Sequence, residues 1–113
     1  MPRDIRLYLQ DVLEAIDKIQ TYTHGVTFQE FRQTGILVDS VLYNLEIIGE
    51  AVKNLPDSIK AHHPGVEWRK IAGLRDIIAH DYFGVSLEII WEVVQDKLPA
   101  LRTIVVLLLE GEQ

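Results

Sequence analysis

The sequence predicts an all-α protein, an up-and-down bundle of four to five helices with the last helix kinked or split near Pro99. Three observations predict it. Apolar residues recur at spacings of three and four along most of the chain. Proline, glycine or a capping side chain falls between those stretches. The one β-branched cluster, Ile104-Val105-Val106, has no second strand to pair with.

The first helix is predicted from Ile5, Leu9, Val12, Ile16 and Ile19, which form one stripe. Asp4 can cap it, and the pattern loosens at Thr23-His24-Gly25. A second helix spans about Thr34 to Leu55, with Leu37, Val41, Leu45, Ile48, Val52 and Leu55 facing the core. Ile36, Tyr43 and Ile47 lie off that stripe, so a second buried surface, such as a dimer seam, is expected there. Gly49 sits mid-helix at a cost of about 1 kcal/mol relative to alanine, which predicts close approach of a neighbouring helix. Asp39, Tyr43, Glu46, Glu50 and Lys53 form a polar stripe, read as a solvated face.

Pro56 and Asp57 open a short helical piece that stops near His63-Pro64-Gly65. Another helix starts near Glu67, carries Trp68, Ile71, Ala72, Leu74, Ile78 and Ala79, and is punctuated by Gly84. Ser86 caps the last helix, with Glu88 in the first turn, where the helix dipole favours an acid. Pro99 cannot donate a backbone hydrogen bond, so a break is expected near Lys97 or Leu98.

The length, 113 residues, suits one domain over residues 1–113 with one core. Cysteine is absent, which excludes a disulfide scaffold, a thiolate zinc site and a cysteine nucleophile and suits a reducing, cytoplasmic location. The amino-terminal run Met1-Pro-Arg-Asp-Ile-Arg-Leu-Tyr8 has no secretory pattern, and the apolar run Ile104–Leu109 is too short to span a bilayer. The net charge of −6 argues against general nucleic-acid binding. The charge is uneven, however. Residues 53–80 carry five basic and three acidic side chains between two acidic flanks, so a local phosphate site is possible. His62 and His63 are adjacent and diverge, so they make a poor metal pair and are read as surface residues. No metal and no cofactor are expected.

The chemistry concentrates in Arg75-Asp-Ile-Ile-Ala-His80-Asp-Tyr82. Arginine offers a fork of donors that fits phosphate oxygens, and histidine can move a proton near neutral pH. On a straight helix Arg75 and His80 would lie roughly 140° apart. Either the helix ends at Ala79 or His80 with His80 turning back, or the target is shared between two copies. Asp76 is four residues before His80 and could orient its ring. Together arginine and histidine suffice for RNA cleavage, because the 2′-hydroxyl supplies the nucleophile. The bland alternative is two cations that favour a helix C-terminus, with Tyr82 as a packing residue.

The spacing Arg75-x-x-x-x-His80-x-Tyr82 resembles the R-x-x-x-x-H-x-Y motif of the HEPN ribonuclease toxins, specifically the HepT-like family. Tyr43–Ala51, Trp68–Arg75 and Ala79–Gly84 extend the likeness over nearly the whole chain. The resemblance implies a helical homodimer whose two motifs meet in one cleft and cut RNA without a metal, with Arg75 and His80 as the catalytic pair and Asp76 supporting. It also implies a partner, an MntA-type nucleotidyltransferase antitoxin, that transfers AMP to Tyr82 and silences the toxin. An added phosphate places charge and bulk where RNA phosphate should sit. A different class of function competes: a non-catalytic helical module that partners the nucleotidyltransferase.

Overall fold

A computed structural model describes residues 3–111. Met1 and Pro2, which begin the amino-terminal run, lie outside the described residues, as do Glu112 and Gln113. Every regular element among the described residues is helical: α1 (Ile5–Thr23), α2 (Phe28–Gln33), α3 (Gly35–Lys53), α4 (Asp57–Ala61), α5 (Trp68–His80), α6 (Leu87–Glu92) and α7 (Leu98–Leu109). A 3₁₀ turn, Tyr82–Gly84, follows α5, and a π-helical segment, Val93–Lys97, joins α6 to α7. None of these helices is long and apolar enough to cross a membrane.

The predicted caps form. The Asp4 side chain accepts from Arg6 N at 2.9 Å, and the Ser86 hydroxyl accepts from Ile89 N at 3.3 Å. The predicted stripe of α1 is buried at Leu9, Val12, Ile16 and Ile19, while Ile5 stays exposed at the helix mouth. Sequence periodicity missed α2, which is only six residues long. Its signal is a capping box: Thr27 Oγ1 accepts from Glu30 N at 3.1 Å, and Thr27 N donates to the Glu30 carboxylate at 3.0 Å. The helix exists to deliver Phe31, fully buried with its ring 4.9 Å from that of Trp91 on α6.

Central to the bundle is α3, which lies between α1 and α5, while α7 packs on α1. Val41, Leu45, Ile48 and Val52 are fully buried. Ile36 and Tyr43 remain exposed on this chain, off the core stripe as expected. Arg102 holds α7 to α1 through Asp17 at 2.7 Å.

The expected break near Pro99 takes the form of the π segment, where Leu98 N donates to Val93 O, five residues back. An α-helical proline would press on the carbonyl four residues before it, here that of Gln95. The wider π turn spans that carbonyl, so the helix continues without a separate loop.

Gly49 explains the packing of α3 on α5. A Cβ there would sit 2.9 Å from both Cβ and N of Arg75 and 3.1 Å from Ile71 O. Rigid backbone supplies two of those three contacts. Gly49→Ala is therefore expected to lower stability by about 2 kcal/mol through overpacking, in spite of alanine's better helix propensity. Chemical denaturation of the two proteins checks this, and an equally stable variant would contradict the close crossing.

Candidate functional site

The site grows from that crossing. Because α3 presents bare backbone at Gly49, α5 comes close enough for Arg75 to lie across the acidic stripe of α3. Arg75 Nε is 3.3 Å from Glu50 Oε2, and its Nη1 donates to Asp76 Oδ1 at 3.1 Å. The hydrogen bond to Asp76 and then the charge of Glu50 push the guanidinium pKa above its ordinary value. Both ion pairs are exposed, so a ligand phosphate could replace either carboxylate at small cost. Arg75 lines a groove of about 290 Å³ together with Tyr8 and Asp11 of α1 and Tyr43, Glu46 and Glu50 of α3.

His80 is the last residue of α5 and is exposed. It lines a different, shallower depression with Asp76, Ile77 and Ala79. The helix thus ends at His80, one of the two end points expected, with His80 still in its last turn. Within one chain Arg75 and His80 line separate depressions. Asp76 also departs from expectation. It is taken by Arg75, and among the described residues no hydrogen bond or ion pair joins it to His80.

The helix stops at Asp81, whose backbone turns to φ −143° while its N–H still reaches Ile77 O at 3.1 Å. The 3₁₀ turn follows, closed by Gly84 N donating to Asp81 O at 3.1 Å. Gly84 leaves room for the Asp81 carboxylate, which any side chain at position 84 would displace. The turn lays the Tyr82 ring partly into the core and leaves Phe83 98% exposed, edge-on to Tyr82 at 5.4 Å. The Tyr82 hydroxyl donates to Asp39 Oδ1 at 2.6 Å. Burial first and this hydrogen bond second push the Tyr82 pKa up to about 12.

Sequence reasoning treated Asp39 and Glu50 as part of a solvated stripe. Their spacing through Glu46 does put them on one face of α3. What it could not reveal was that α5 and its turn lie over that face. His63, read as a surface residue, is half-buried, and its Nε2 is enclosed without a partner among the described residues, whereas the His62 ring donates to Ser58 O at 2.7 Å. Among the described residues no group of three or more His, Cys, Asp or Glu could hold a metal ion.

A family model described as "Ribonuclease HepT-like" matches residues 12–108. A protein of Thermococcus cleftensis named "Probable ribonuclease HepT" is 39% identical over 102 residues, covering 90% of this chain and 93% of that protein. One from Caldanaerobacter subterraneus, named as a "Putative RNase", is 39% identical over 108 residues, covering 96% of each. A Methanocaldococcus jannaschii protein named for a gamma-glutamylcyclotransferase and an RNase is 38% identical over 110 residues, covering 97% of this chain. The chain spans 50% of the length of that last relative. No solved structure matches the chain.

The Tyr82 environment makes a spectroscopic prediction. One of the four tyrosines should ionise near pH 12 in the folded protein, and Tyr82→Phe should remove that step from an alkaline absorbance titration. The folded state holds this proton longer than the unfolded chain, whose phenol loses it near the ordinary value of 10.0. The associated stability is thus fully present below pH 10 and is lost as pH rises towards about 12. Four tyrosines titrating together would contradict the burial and the Asp39 contact.

Proposed function

Because the chain belongs to the HepT-like ribonuclease family, we propose that it is a metal-independent endoribonuclease toxin of a bacterial or archaeal toxin–antitoxin pair, working in the cytoplasm. The observation that carries this reading is the pair Arg75 and His80 displayed, both exposed, at the end of α5 in a chain that matches the family from residue 12 to residue 108.

In this reading the RNA 2′-oxygen attacks the adjacent phosphorus, the bond from phosphorus to the 5′-oxygen breaks, and a 2′,3′-cyclic phosphate and a 5′-hydroxyl result. The Arg75 fork takes the place of one of its carboxylate partners on the phosphate and stabilises the charge that builds there. His80 transfers the proton. The two side chains of one chain line separate grooves, so the reading requires a homodimer in which a second copy completes the cleft. Exposed Ile36 and Tyr43 on α3 supply apolar surface on the Tyr43 side of the Arg75 groove, which suits such an association. Silencing falls to an MntA-type nucleotidyltransferase that moves AMP onto the Tyr82 hydroxyl, which adds negative charge beside the motif.

The test is RNA cleavage by purified protein in the presence of chelator. Arg75→Ala and His80→Ala are each expected to lower the rate by at least about 100-fold. Equal cleavage by all three proteins would reject the assignment. A protein that arrests no growth and cuts no RNA, yet binds the transferase tightly, would instead be the non-catalytic module. Silencing is checked separately by intact mass: co-expression with the cognate transferase should add AMP to the wild-type chain and none to Tyr82→Phe.

A further inference from the structure

Asp39 has no part in RNA cleavage as read above, and it touches the motif tyrosine directly. Glu50, Asp76, Asp11, Asp17 and Glu67 each face an arginine or lysine within 3.3 Å. Asp39 pairs with no cation among the described residues. Its recorded partner is the phenol of Tyr82, reached across 43 positions of sequence at 2.6 Å. An exposed carboxylate that is not neutralised by a cation keeps its capacity to accept a proton. The Tyr82 ring is held by the core on one side, so its hydroxyl has a fixed place with the carboxylate beside it.

From this geometry we infer that Asp39 orients the Tyr82 hydroxyl and takes its proton when a nucleotidyl group is transferred to it. The inference rests on the reading of Tyr82 as the acceptor and adds the residue that makes it a nucleophile. In the step, the phenol oxygen attacks the α-phosphorus of a nucleoside triphosphate carried by the transferase. The new bond joins that oxygen to phosphorus. The bond from the α-phosphorus to its bridging oxygen breaks, and pyrophosphate leaves with the electron pair. The phenol proton passes to Asp39 Oδ1. Near neutral pH the phenol is otherwise fully protonated, since burial and Asp39 raise its pKa to about 12, so a proton acceptor must stand beside it. The charges acting on this hydroxyl are those of Asp39 and Glu46, both on α3. Asp39 makes the contact, and Glu46 acts only through its charge.

The experiment follows AMP incorporation into the full chain by intact mass, with purified cognate transferase and ATP, across a pH series. Asp39→Asn can still accept a hydrogen bond from the phenol but cannot take its proton. It should lower the initial rate about 100-fold near neutral pH, with the deficit shrinking as pH rises. Asp39→Glu, which keeps a carboxylate on a longer arm, should recover part of the loss. Asp39→Asn modified at the wild-type rate with the wild-type pH profile would overturn the inference. So would Asp39→Glu no faster than Asp39→Asn, a comparison that stands even if the Asn variant is destabilised, because melting curves are recorded for both. A wild-type chain that gains no AMP, or a Tyr82→Phe chain that gains as much as wild type, would overturn the Tyr82 reading itself.

Discussion

Everything chemical in this molecule hangs on how closely α5 approaches α3. At Gly49 the two backbones come within a distance that no side chain could share. The fully buried residues Leu45, Ile48 and Val52 of α3 and Ile78 of α5 supply the attraction, and the missing Cβ lets it be realised. A helix pays about 1 kcal/mol for a glycine at such a position. In return Arg75, whose Cβ and N face Gly49 directly, is placed with little latitude over the outer edge of α3. The crossing that assembles the core and the placement of the candidate phosphate-binding group are therefore one contact.

The outer edge of α3 then sets the electrostatics. Glu50 meets the arginine and Asp39 meets the tyrosine, so two members of the motif are each held by a carboxylate of the same helix. His80 is the exception, at the helix end without a partner among the described residues. The carboxylates keep the Arg75 guanidinium and a half-buried phenol in defined positions on a chain with net charge −6.

Much of the architecture could be read directly from the chain. Helix periodicity and capping residues are local properties, so α1, α3, α5 and the last helix were visible, as were the cap at Ser86 and the reason for Gly49. The short α2 was not, because six residues give too few apolar repeats to outweigh their polar neighbours, although Thr27 and Glu30 stood at capping spacing. In the candidate site, Arg75, Asp76, His80 and Tyr82 were legible because they are contiguous. Their partners were not. Asp39 lies 43 positions before Tyr82, and only the tertiary crossing tells which of several acidic residues on α3 will be met. The 140° separation of Arg75 and His80 was computable in advance. Whether the helix would persist through His80 depended on the turn made by Asp81 and Gly84, which no spacing rule decides.

The π segment before Pro99 has a different kind of consequence. A turn that closes through five residues instead of four holds one residue more than its α-helical counterpart. On an α-helix each residue advances the facing by about 100°, so this surplus residue acts as a phase adjuster between two packing surfaces. Upstream of it, Trp91 meets the aromatic pair of α2. Downstream, Leu98, Leu101 and Val105 are fully buried on α7, which packs against α1. A regular helix with the same residues would have to choose between those two alignments. The irregularity lets a single continuous rod serve as the wall for two neighbours that are out of register with each other.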